Sequence, residues 1–451
     1  MVSDLQLFIT TITLCVVIYY LLSLLYQHSQ VPILVTTFIF TNMVSRTSMF
    51  RSIVESAQSA LKQPIKDIPK THGSNYDTFK ALNNVQKREI LSAVQSLKNY
   101  ETNSKVTNQR RRDLFKLMTS KQQKICKDVG YLDKLSKIDN AITANQKFTN
   151  DVANYTISKY GLSESDFEIL DNDKKNRSTT SASNYRVIEA LGHYTRDWQS
   201  NTIVGPELLP VFEYIAAQLS ALIPYEAKKD TCLVFPGSGL GRLAHIFSDY
   251  GYGAIHSIEF SGLMNAFVDF NYSKPTQSYT FYPYIHTCSD FYNTESQLRT
   301  FEFEPLGSKP DSLYLHQSDF RDFKIPDRDK KYENVVVVTA FFIDTAENLI
   351  EYLDVIEKLT KPSGSVQRGY WINVGPLKYG SAAQVELNAD ELKDVRAKLG
   401  WKDYSSVYSI YDKLSLGNDT GLVGYLTDKE SMWQGYYGLN MFASGRKENK
   451  F

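Results

Sequence analysis

The sequence predicts an α/β fold, with a parallel sheet in the C-terminal part, a helical region before it and an apolar N-terminal segment. Three observations support this prediction. From Thr231 onward, short apolar runs alternate with helical segments, as expected for parallel strands joined by crossover helices. The first of these runs leads directly into a glycine-rich loop. At the other end of the chain, residues 5–26 carry no charged side chain.

The N-terminal stretch of residues 5–26 is long enough to cross a membrane. A bilayer core requires about 20 apolar residues in a helix, and this stretch has 22 residues without a charge. A cleaved signal peptide would begin with basic residues, but Asp4 is the only charged side chain before the stretch. A buried helix is the other alternative. We predict a membrane anchor over residues 1–44, in which the apolar stretch 31–44 is either an interfacial helix or a second span.

Basic residues follow the apolar stretches, beginning at Arg46 and Arg51. Because positive charges favour the cytoplasmic side of a membrane, we predict a single-pass membrane protein whose C-terminal domain faces the cytoplasm. Residues 45–84 are polar and contain prolines, so we expect a linker there. Residues 85–184 have apolar side chains at helical spacing and are expected to be helical. The α/β domain then covers residues 185–451.

Charge and cysteine content exclude several classes of partner. Lys plus Arg and Asp plus Glu both total 50, so there is no net positive charge to attract nucleic acid, and we predict no nucleic-acid partner. The four cysteines are far apart and form no zinc-ligand pattern. The histidines show no metal-ligand spacing either, so we predict no metal site.

Six apolar runs are predicted to form the strands of the sheet. They are CLVFP (232–236), AIHSIEF (254–260), SLYLHQ (312–317), VVVVTAFF (335–342), YWINVG (370–375) and YGLNMFASG (437–445). Between the fourth and fifth runs, apolar residues from Leu349 to Leu359 mark one helical face, and Pro362 and Gly364 end the helix. This order of elements predicts a βαβ unit.

The first run continues into PGSGLGR, residues 236–242. Its glycines, Gly237, Gly239 and Gly241, allow the backbone to turn tightly and to approach a ligand. A dinucleotide-binding fingerprint requires glycine at the position of Arg242, and this difference argues against an NAD(P)-dependent oxidoreductase. The alternative to a cofactor loop is a tight turn between a strand and a helix.

Acidic residues follow the next strands at positions where a nucleoside would bind. Glu259 lies 18 residues after Gly241, and an acid at about this distance accepts hydrogen bonds from ribose hydroxyl groups in nucleotide-binding folds. After the third run, Asp319 offers a carboxylate to an adenine amino group and Phe320 an aromatic cover for the ring. The alternative interpretations are a solvent-facing strand end for Glu259 and a loop acid beside a core phenylalanine for Asp319.

Asp344 follows the fourth run and is expected at the carboxyl edge of the sheet, where α/β folds bind ligands. There it would hold an amine or nitrogen of a substrate. In the alternative interpretation, Asp344 or Thr345 is the N-cap of the helix that follows.

Several long motifs resemble the carnosine N-methyltransferase (N2227-like) family. They are PGSGLGRLAHIFSDYGYGAIHSIEFS, QSDFRDF, TAFFIDTAENLIEYLD, YWINVGPLKY, the YY before the final strand and TRDW at 195–198. The resemblance covers residues 85–447 and implies a seven-stranded, Rossmann-like class I methyltransferase core with helical additions. It also implies S-adenosylmethionine as cofactor and methyl transfer to an imidazole nitrogen of carnosine or of a related histidine-containing peptide or small molecule.

Carried over by position, the resemblance implies which residues form the site. Those expected around the cofactor are His193, Arg196, Gly237, Gly239, Gly241, Glu259, Asp319, Phe320 and Ala340. Asp344 and Tyr437 would contact the substrate. Such a site mainly aligns a neutral nitrogen with an already activated methyl group, and this chemistry requires no metal.

Three positions depart from the family pattern. The family has Gln at His193, Cys at Ala340 and His at Gly380. That family His helps to position the imidazole of the acceptor, so Gly380 leaves the natural acceptor open. The expected partners are an imidazole-containing acceptor and membrane lipid at the N-terminal helix, and a homodimer is left open. The alternative function is a membrane-tethered interaction protein with an inactive methyltransferase fold.

Overall fold

A seven-stranded sheet forms the centre of the molecule in the computed structural model. The structure describes residues 19–20, 67–173, 180–200, 203–274 and 277–450. In chain order the strands are β1 (Thr231–Pro236), β2 (Ala254–Glu259), β3 (Tyr279–Phe281), β4 (Phe301–Phe303), β5 (Leu313–Gln317), β6 (Asn334–Ala340), β7 (Arg368–Gly375), β8 (Trp401–Tyr408), β9 (Leu422–Gly424), β10 (Tyr436–Gly438) and β11 (Asn440–Arg446).

The main sheet has the strand order β5-β2-β1-β6-β7-β11-β8. Neighbouring strands from β5 to β7 pair in parallel, whereas β11 runs antiparallel to both β7 and β8. The remaining strands form two separate antiparallel pairs, β3 with β4 and β9 with β10. The predicted α/β fold with a parallel sheet is confirmed.

The parallel strands are buried on both faces of the sheet, which explains why they occur in the sequence as continuous apolar runs. In β1, Cys232 and Val234 belong to the core on one face of the sheet, while Leu233 and Phe235 belong to the core on the other. Each strand therefore needs apolar residues at every position rather than at alternate ones. The five parallel strands match the predicted runs to within about two residues.

Two features of the antiparallel edge differ from the prediction. The run predicted at 437–445 is divided between β10 and β11, and Leu439 lies between them with its N–H donating to the Ser409 hydroxyl oxygen at 2.7 Å. Strand β8 was not predicted. Its sequence WKDYSSVY alternates between more buried and exposed positions and is largely polar, so it lacks the apolar run on which the strand prediction relied.

Helices cover both faces of the sheet. In chain order they are α1 (Tyr76–Ala81), α2 (Asn84–Lys98), α3 (Tyr100–Lys116), α4 (Ser120–Asp128), α5 (Tyr131–Tyr160), α6 (Glu168–Asp173), α7 (Thr180–Asp197), α8 (Leu209–Leu222), α9 (Arg242–Ser248), α10 (Gly262–Asn271), α11 (Thr294–Gln297), α12 (Arg328–Lys331), α13 (Leu349–Thr360) and α14 (Ala389–Lys398). The predicted βαβ unit is β6, α13 and β7. Helix α13 is capped by Asn348, whose side chain accepts the Ile350 N–H at 3.1 Å, so the alternative that made Asp344 or Thr345 the N-cap is wrong.

The helical region packs directly onto the sheet domain through an aromatic cluster. Phe148 of α5 stacks on Phe281 of β3 at 5.4 Å between ring centroids. The same ring lies 5.8 Å from Phe267 of α10 and 5.7 Å from Tyr194 of α7. All four rings are almost completely buried. This cluster joins residues that are more than 100 positions apart in the sequence.

The membrane prediction is not supported. None of the helices that the structure describes is both long and apolar enough to cross a membrane, and this finding overturns the predicted single-pass localisation. Helix α5 has sufficient length at 30 residues, but only one side of it is buried and charged residues such as Lys137 and Lys147 occupy the other, as in an amphipathic helix. Residues 5–26, apart from 19–20, and 31–44 lie outside the described residues.

We expect Phe148→Ala to lower the free energy of unfolding by about 3–5 kcal/mol, the usual cost of removing a buried phenylalanine. Urea denaturation followed by circular dichroism measures this change. Tyr225→Ala is a suitable control because Tyr225 is 81% exposed and its loss should change the free energy by less than about 0.5 kcal/mol. Equal effects of the two substitutions would show that the aromatic cluster does not stabilise the fold.

Candidate functional site

A cavity of about 680 Å³ lies at the carboxyl ends of β1, β2, β5 and β6. The chain passes from β1 to β2 and β5 on one side, then returns to β6 on the other side of β1. Such a reversal of strand order opens a crevice at the sheet edge, and open α/β sheets bind their ligands there. The volume lies within the range of about 300–1,000 Å³ that is usual for small-molecule and cofactor sites.

Eight of the nine predicted cofactor residues line this cavity. They are His193, Arg196, Gly237, Gly239, Glu259, Asp319, Phe320 and Ala340. Gly241 is not part of the wall; it precedes α9 with a positive φ of 73°. The two predicted substrate residues, Asp344 and Tyr437, also lie outside the wall.

The glycine loop requires glycine for two different reasons. Gly237 has φ of 61°, and a Cβ there would lie only 2.2 Å from the Phe342 ring. Gly239 has φ of 55°, but no atom lies within 4 Å of a Cβ built on it. Both residues adopt a left-handed conformation that strongly favours glycine. The backbone at Gly239 therefore borders open space beside the cavity.

Glu259 at the end of β2 is held by backbone N–H groups. Its carboxylate accepts the N–H of Gly239 at 2.8 Å and the N–H of Ser261 at 2.7 Å, one on each oxygen. Burial raises the pKa of Glu259, and these backbone hydrogen bonds only partly offset the increase. The Phe260 N–H also interacts with this carboxylate, which with about four acceptor sites keeps capacity for a ligand. The residue is thus fixed in place and able to accept a hydrogen bond from a ligand hydroxyl group.

Asp319 and Phe320 follow β5 at the same edge. Arg321 forms an ion pair with Asp319 at 2.6 Å. Burial acts to raise the pKa of Asp319, but the hydrogen bonds from Arg321 outweigh it and the pKa is lowered. Phe320 is 3% exposed and packs edge-on against Phe342, which in turn stacks on Tyr352 with 4.6 Å between ring centroids. Arg321 donates hydrogen bonds to both Asp319 oxygens, so an ionised, paired carboxylate lies beside an aromatic surface.

Helix α7 contributes Arg196 and His193 to the opposite side of the cavity. The Arg196 guanidinium pairs with Asp197 through two hydrogen bonds of 2.5 and 3.0 Å and lies over the Tyr425 ring at 5.0 Å. His193 is 7% exposed, and its Nδ1 has no hydrogen-bond partner among the described residues. Burial and then the charge of Arg196 lower the pKa of His193 to about 3, so its imidazole is neutral at physiological pH.

Sequence reasoning missed the loop that begins at Tyr425. Tyr425 lines the cavity and lies 5.2 Å from the Phe341 ring. The Glu207 carboxylate fixes this loop by accepting the N–H groups of Leu426 at 3.0 Å and Thr427 at 2.7 Å. Neither Tyr425 nor Glu207 follows a predicted strand or belongs to a recognisable motif. Nothing in the local sequence indicates that a loop more than 200 positions after Glu207 would reach it.

Asp344 and Tyr437 form a connected group at the edge of the cavity. Asp344 is 7% exposed, and its carboxylate accepts the backbone N–H of Lys378 at 2.9 Å. The ammonium of Lys378 lies 3.4 Å from the Tyr437 hydroxyl. Burial raises the pKa of Asp344, partly offset by the hydrogen bond from Lys378. Phe342 and Thr345 lie within two residues of Asp344 in the chain and both line the cavity, so Asp344 lies immediately behind the wall.

A family model described as carnosine N-methyltransferase matches residues 173–448. The chain belongs to the carnosine N-methyltransferase family. Membership makes it an S-adenosylmethionine-dependent methyltransferase, with S-adenosylmethionine as the cofactor. The family and the cofactor predicted from the motifs are thereby confirmed.

Curated relatives from several organisms are similar over most of their length. The carnosine N-methyltransferase of Schizosaccharomyces pombe is 27% identical over 78% of this chain and 92% of that protein. The rat enzyme of the same name is 25% identical over 79% of this chain and 86% of its own. An uncharacterized protein of Saccharomyces cerevisiae is 29% identical over 70% and 72% of the two chains. Among solved structures, magnesium protoporphyrin IX methyltransferase from Synechocystis matches with a TM-score of 0.31 and 12% identity, covering 62% of this chain and 99% of that one; such a score is too low to support a conclusion.

The cavity residues suit the family's cofactor. Gly239 leaves room for a ligand against its backbone, Glu259 presents an acceptor for a hydroxyl group, and Asp319 adds a second carboxylate to the wall. Eight carboxylates and four guanidinium groups line the cavity. This excess of negative charge favours a cofactor that carries a positively charged sulfur.

We expect Glu259→Ala to weaken cofactor binding by about 10- to 100-fold, because a hydrogen bond to a charged acceptor is lost. Isothermal titration with S-adenosylhomocysteine measures the affinity. Glu333→Gln is a matched control because Glu333 pairs with Arg368 at the opposite end of β6. An affinity retained in Glu259→Ala would refute the assigned ribose role.

The affinity should also depend on pH. Burial raises the pKa of Glu259, so as pH falls this carboxylate is protonated earlier than an ordinary glutamate and loses its ability to accept hydrogen bonds on that oxygen. Binding should therefore be strongest at neutral pH and decline as the solution approaches the carboxyl range. Titrations between pH 5 and 8 test this expectation. In Glu259→Gln the decline should disappear, and an unchanged decline would assign it to another group.

Proposed function

We propose that the chain transfers the methyl group of S-adenosylmethionine to an imidazole nitrogen of carnosine or of a related histidine-containing peptide or small molecule. The observation that carries the proposal is the group of Asp344, Lys378 and Tyr437 behind the cavity wall. It combines a buried carboxylate, an ammonium and a phenol, which are groups that could bind an imidazole-containing acceptor. Relatives named carnosine N-methyltransferase from fission yeast and rat support this choice of acceptor class.

The proposed mechanism assigns orientation to Asp344. When bound, the cofactor supplies a methyl group already activated by its positively charged sulfur. An imidazole with a pKa near 6.5 is mostly neutral above pH 7. The Asp344 carboxylate accepts the N–H of that ring, fixes its tautomer and leaves the lone pair of the other nitrogen free to face the methyl carbon. As the ring becomes positively charged, the same carboxylate stabilises it.

Lys378 and Tyr437 would act on the remainder of the acceptor. The backbone N–H of Lys378 orients Asp344, and its exposed ammonium is held beside the Tyr437 hydroxyl. A peptide acceptor that carries a carboxylate would find an ionic partner in that ammonium. The Tyr437 ring lies 6.4 Å from Phe341, so the group is continuous with the cavity wall.

Asp344→Asn should preserve cofactor affinity and lower methyl transfer by about 100-fold or more, as expected when a charge that stabilises the reacting group is removed. Titration with S-adenosylhomocysteine and transfer of radiolabelled methyl to carnosine measure the two properties separately. Asp322→Asn is the control, since Asp322 is an exposed acid in the turn after Phe320. Unchanged turnover in Asp344→Asn would leave Asp344 with a structural role only.

Gly380 is the position that should decide how well carnosine itself is used. It is exposed, and no atom lies within 4 Å of a Cβ built on it, so a larger side chain fits without a clash. We expect Gly380→His, which restores the residue typical of the family, to raise kcat/KM for carnosine by about 10-fold, the effect of one hydrogen bond. Gly380→Ala should change it little. If the histidine variant behaves like the alanine variant, position 380 does not orient the acceptor.

The membrane-tethered, inactive alternative lacks support, as do the predicted lipid partner and homodimer. The full-length chain should label carnosine, or another compound in a small-molecule cell extract, from radiolabelled S-adenosylmethionine. Labelling of the extract without labelling of carnosine would indicate a methyltransferase with a different acceptor. An absence of label from both would contradict the proposed activity.

A further inference from the structure

The first two turns of α2 lie against the end of β5 and the start of α10. Asn83 caps this helix through a reciprocal pair of hydrogen bonds with Gln86. The Gln86 side chain also donates to the carbonyl oxygen of Gln317 at 2.6 Å, at the last residue of β5. On the other side, a Cβ on Gly262 would lie 2.4 Å from the carbonyl group of Glu89. The start of α2 is therefore packed tightly between β5 and the start of α10.

This packing brings Glu89 into the cavity. Among the described residues that precede Arg186 in the chain, Glu89 alone lines the cavity. One of its carboxylate oxygens accepts the Gly262 N–H at 3.3 Å. The structure shows no hydrogen bond from a described residue to the other oxygen. The residue is half-buried, so that oxygen remains accessible to a ligand.

Glu89 and Glu259 lie side by side. Glu259 accepts the N–H of Ser261, and Glu89 accepts the N–H of Gly262, the next residue in the chain. Among the side chains that the structure describes, neither carboxylate has an ion pair. Two neighbouring carboxylates without a cation repel each other, and hydrogen-bond donors on a ligand would reduce that cost. The ribose of the cofactor carries two adjacent hydroxyl donors.

We propose that Glu89 and Glu259 bind the ribose of S-adenosylmethionine together, each carboxylate accepting a hydrogen bond from one hydroxyl group. Glu89 then adds a cofactor-binding residue from the helical region to the residues at the sheet edge. The inference rests on the ribose role of Glu259 and is independent of the identity of the acceptor. It also gives α2 a direct part in cofactor recognition.

The experiment measures the affinity of the full-length chain for S-adenosylhomocysteine and for its 2′-deoxy and 3′-deoxy analogues by isothermal titration. Glu89→Ala should bind S-adenosylhomocysteine about 10- to 100-fold more weakly than the unsubstituted chain, because one hydrogen bond to a charged group is lost. For one of the two deoxy analogues, the same substitution should have almost no effect, because the hydroxyl that Glu89 binds is already missing. For the other analogue the full loss should remain.

Two further variants separate binding from packing. Gln86→Ala removes the contact between α2 and β5 without changing the charge of the cavity. It should therefore change the affinity for all three ligands by the same factor. Glu89→Gln keeps an oxygen that can accept the Gly262 N–H and preserves the packing of α2. Its affinity for S-adenosylhomocysteine should fall because the hydroxyl group loses a charged acceptor.

Several outcomes would overturn the proposal. If Glu89→Ala weakens the binding of all three ligands by the same factor, Glu89 serves only to pack α2 against the sheet domain. If it leaves the affinity for S-adenosylhomocysteine unchanged while Glu259→Gln lowers it, Glu259 binds the ribose alone. If Glu259→Gln also leaves the affinity unchanged, the ribose lies elsewhere and both assignments fail, irrespective of which acceptor the enzyme methylates.

Discussion

The pairing of β1 between β2 and β6 is the constraint on which the rest of the site depends. Because all three strands run in parallel, their carboxyl ends meet at one edge, and the glycine loop, Glu259 and Ala340 arrive there together. The loops are then locked against one another, since the ring of Phe342 after β6 occupies the space that a side chain at Gly237 would need. A shift of one residue in either strand pair would exchange the two faces and misplace every one of these groups.

The ionisation of the acidic and basic side chains differs between parts of the site. Arg321 keeps Asp319 ionised beside the aromatic rings, whereas burial works against ionisation of Glu259 and Asp344. His193 stays neutral beside Arg196, whose guanidinium is paired with Asp197. The wall as a whole is acidic. The acidic wall thus attracts a cofactor with a positively charged sulfur.

Most of the fold could be predicted from the sequence, because strands buried on both faces must be apolar throughout, as in β1 and β6. The polar edge strand β8 could not, since one of its faces meets solvent. Acidic residues at or just after strand ends, such as Glu259 and Asp319, could also be predicted, because the strands that precede them were recognisable. Tyr425 and Glu89 were not, because tertiary packing alone brings them to the cavity. The localisation prediction depended on residues 5–26, and no helix that the structure describes could cross a membrane.

The contact of α2 with the sheet edge bears on how this enzyme can have diversified. The family model matches residues 173–448, yet Gln86 and Phe148, which fasten the helical region to β5 and to the aromatic cluster, precede that segment. A gene fusion or exchange that transferred only the matched segment would leave the cofactor cavity without part of its wall. The two regions are therefore expected to be inherited as one unit, and insertions should be tolerated elsewhere, in loops that neither contact involves.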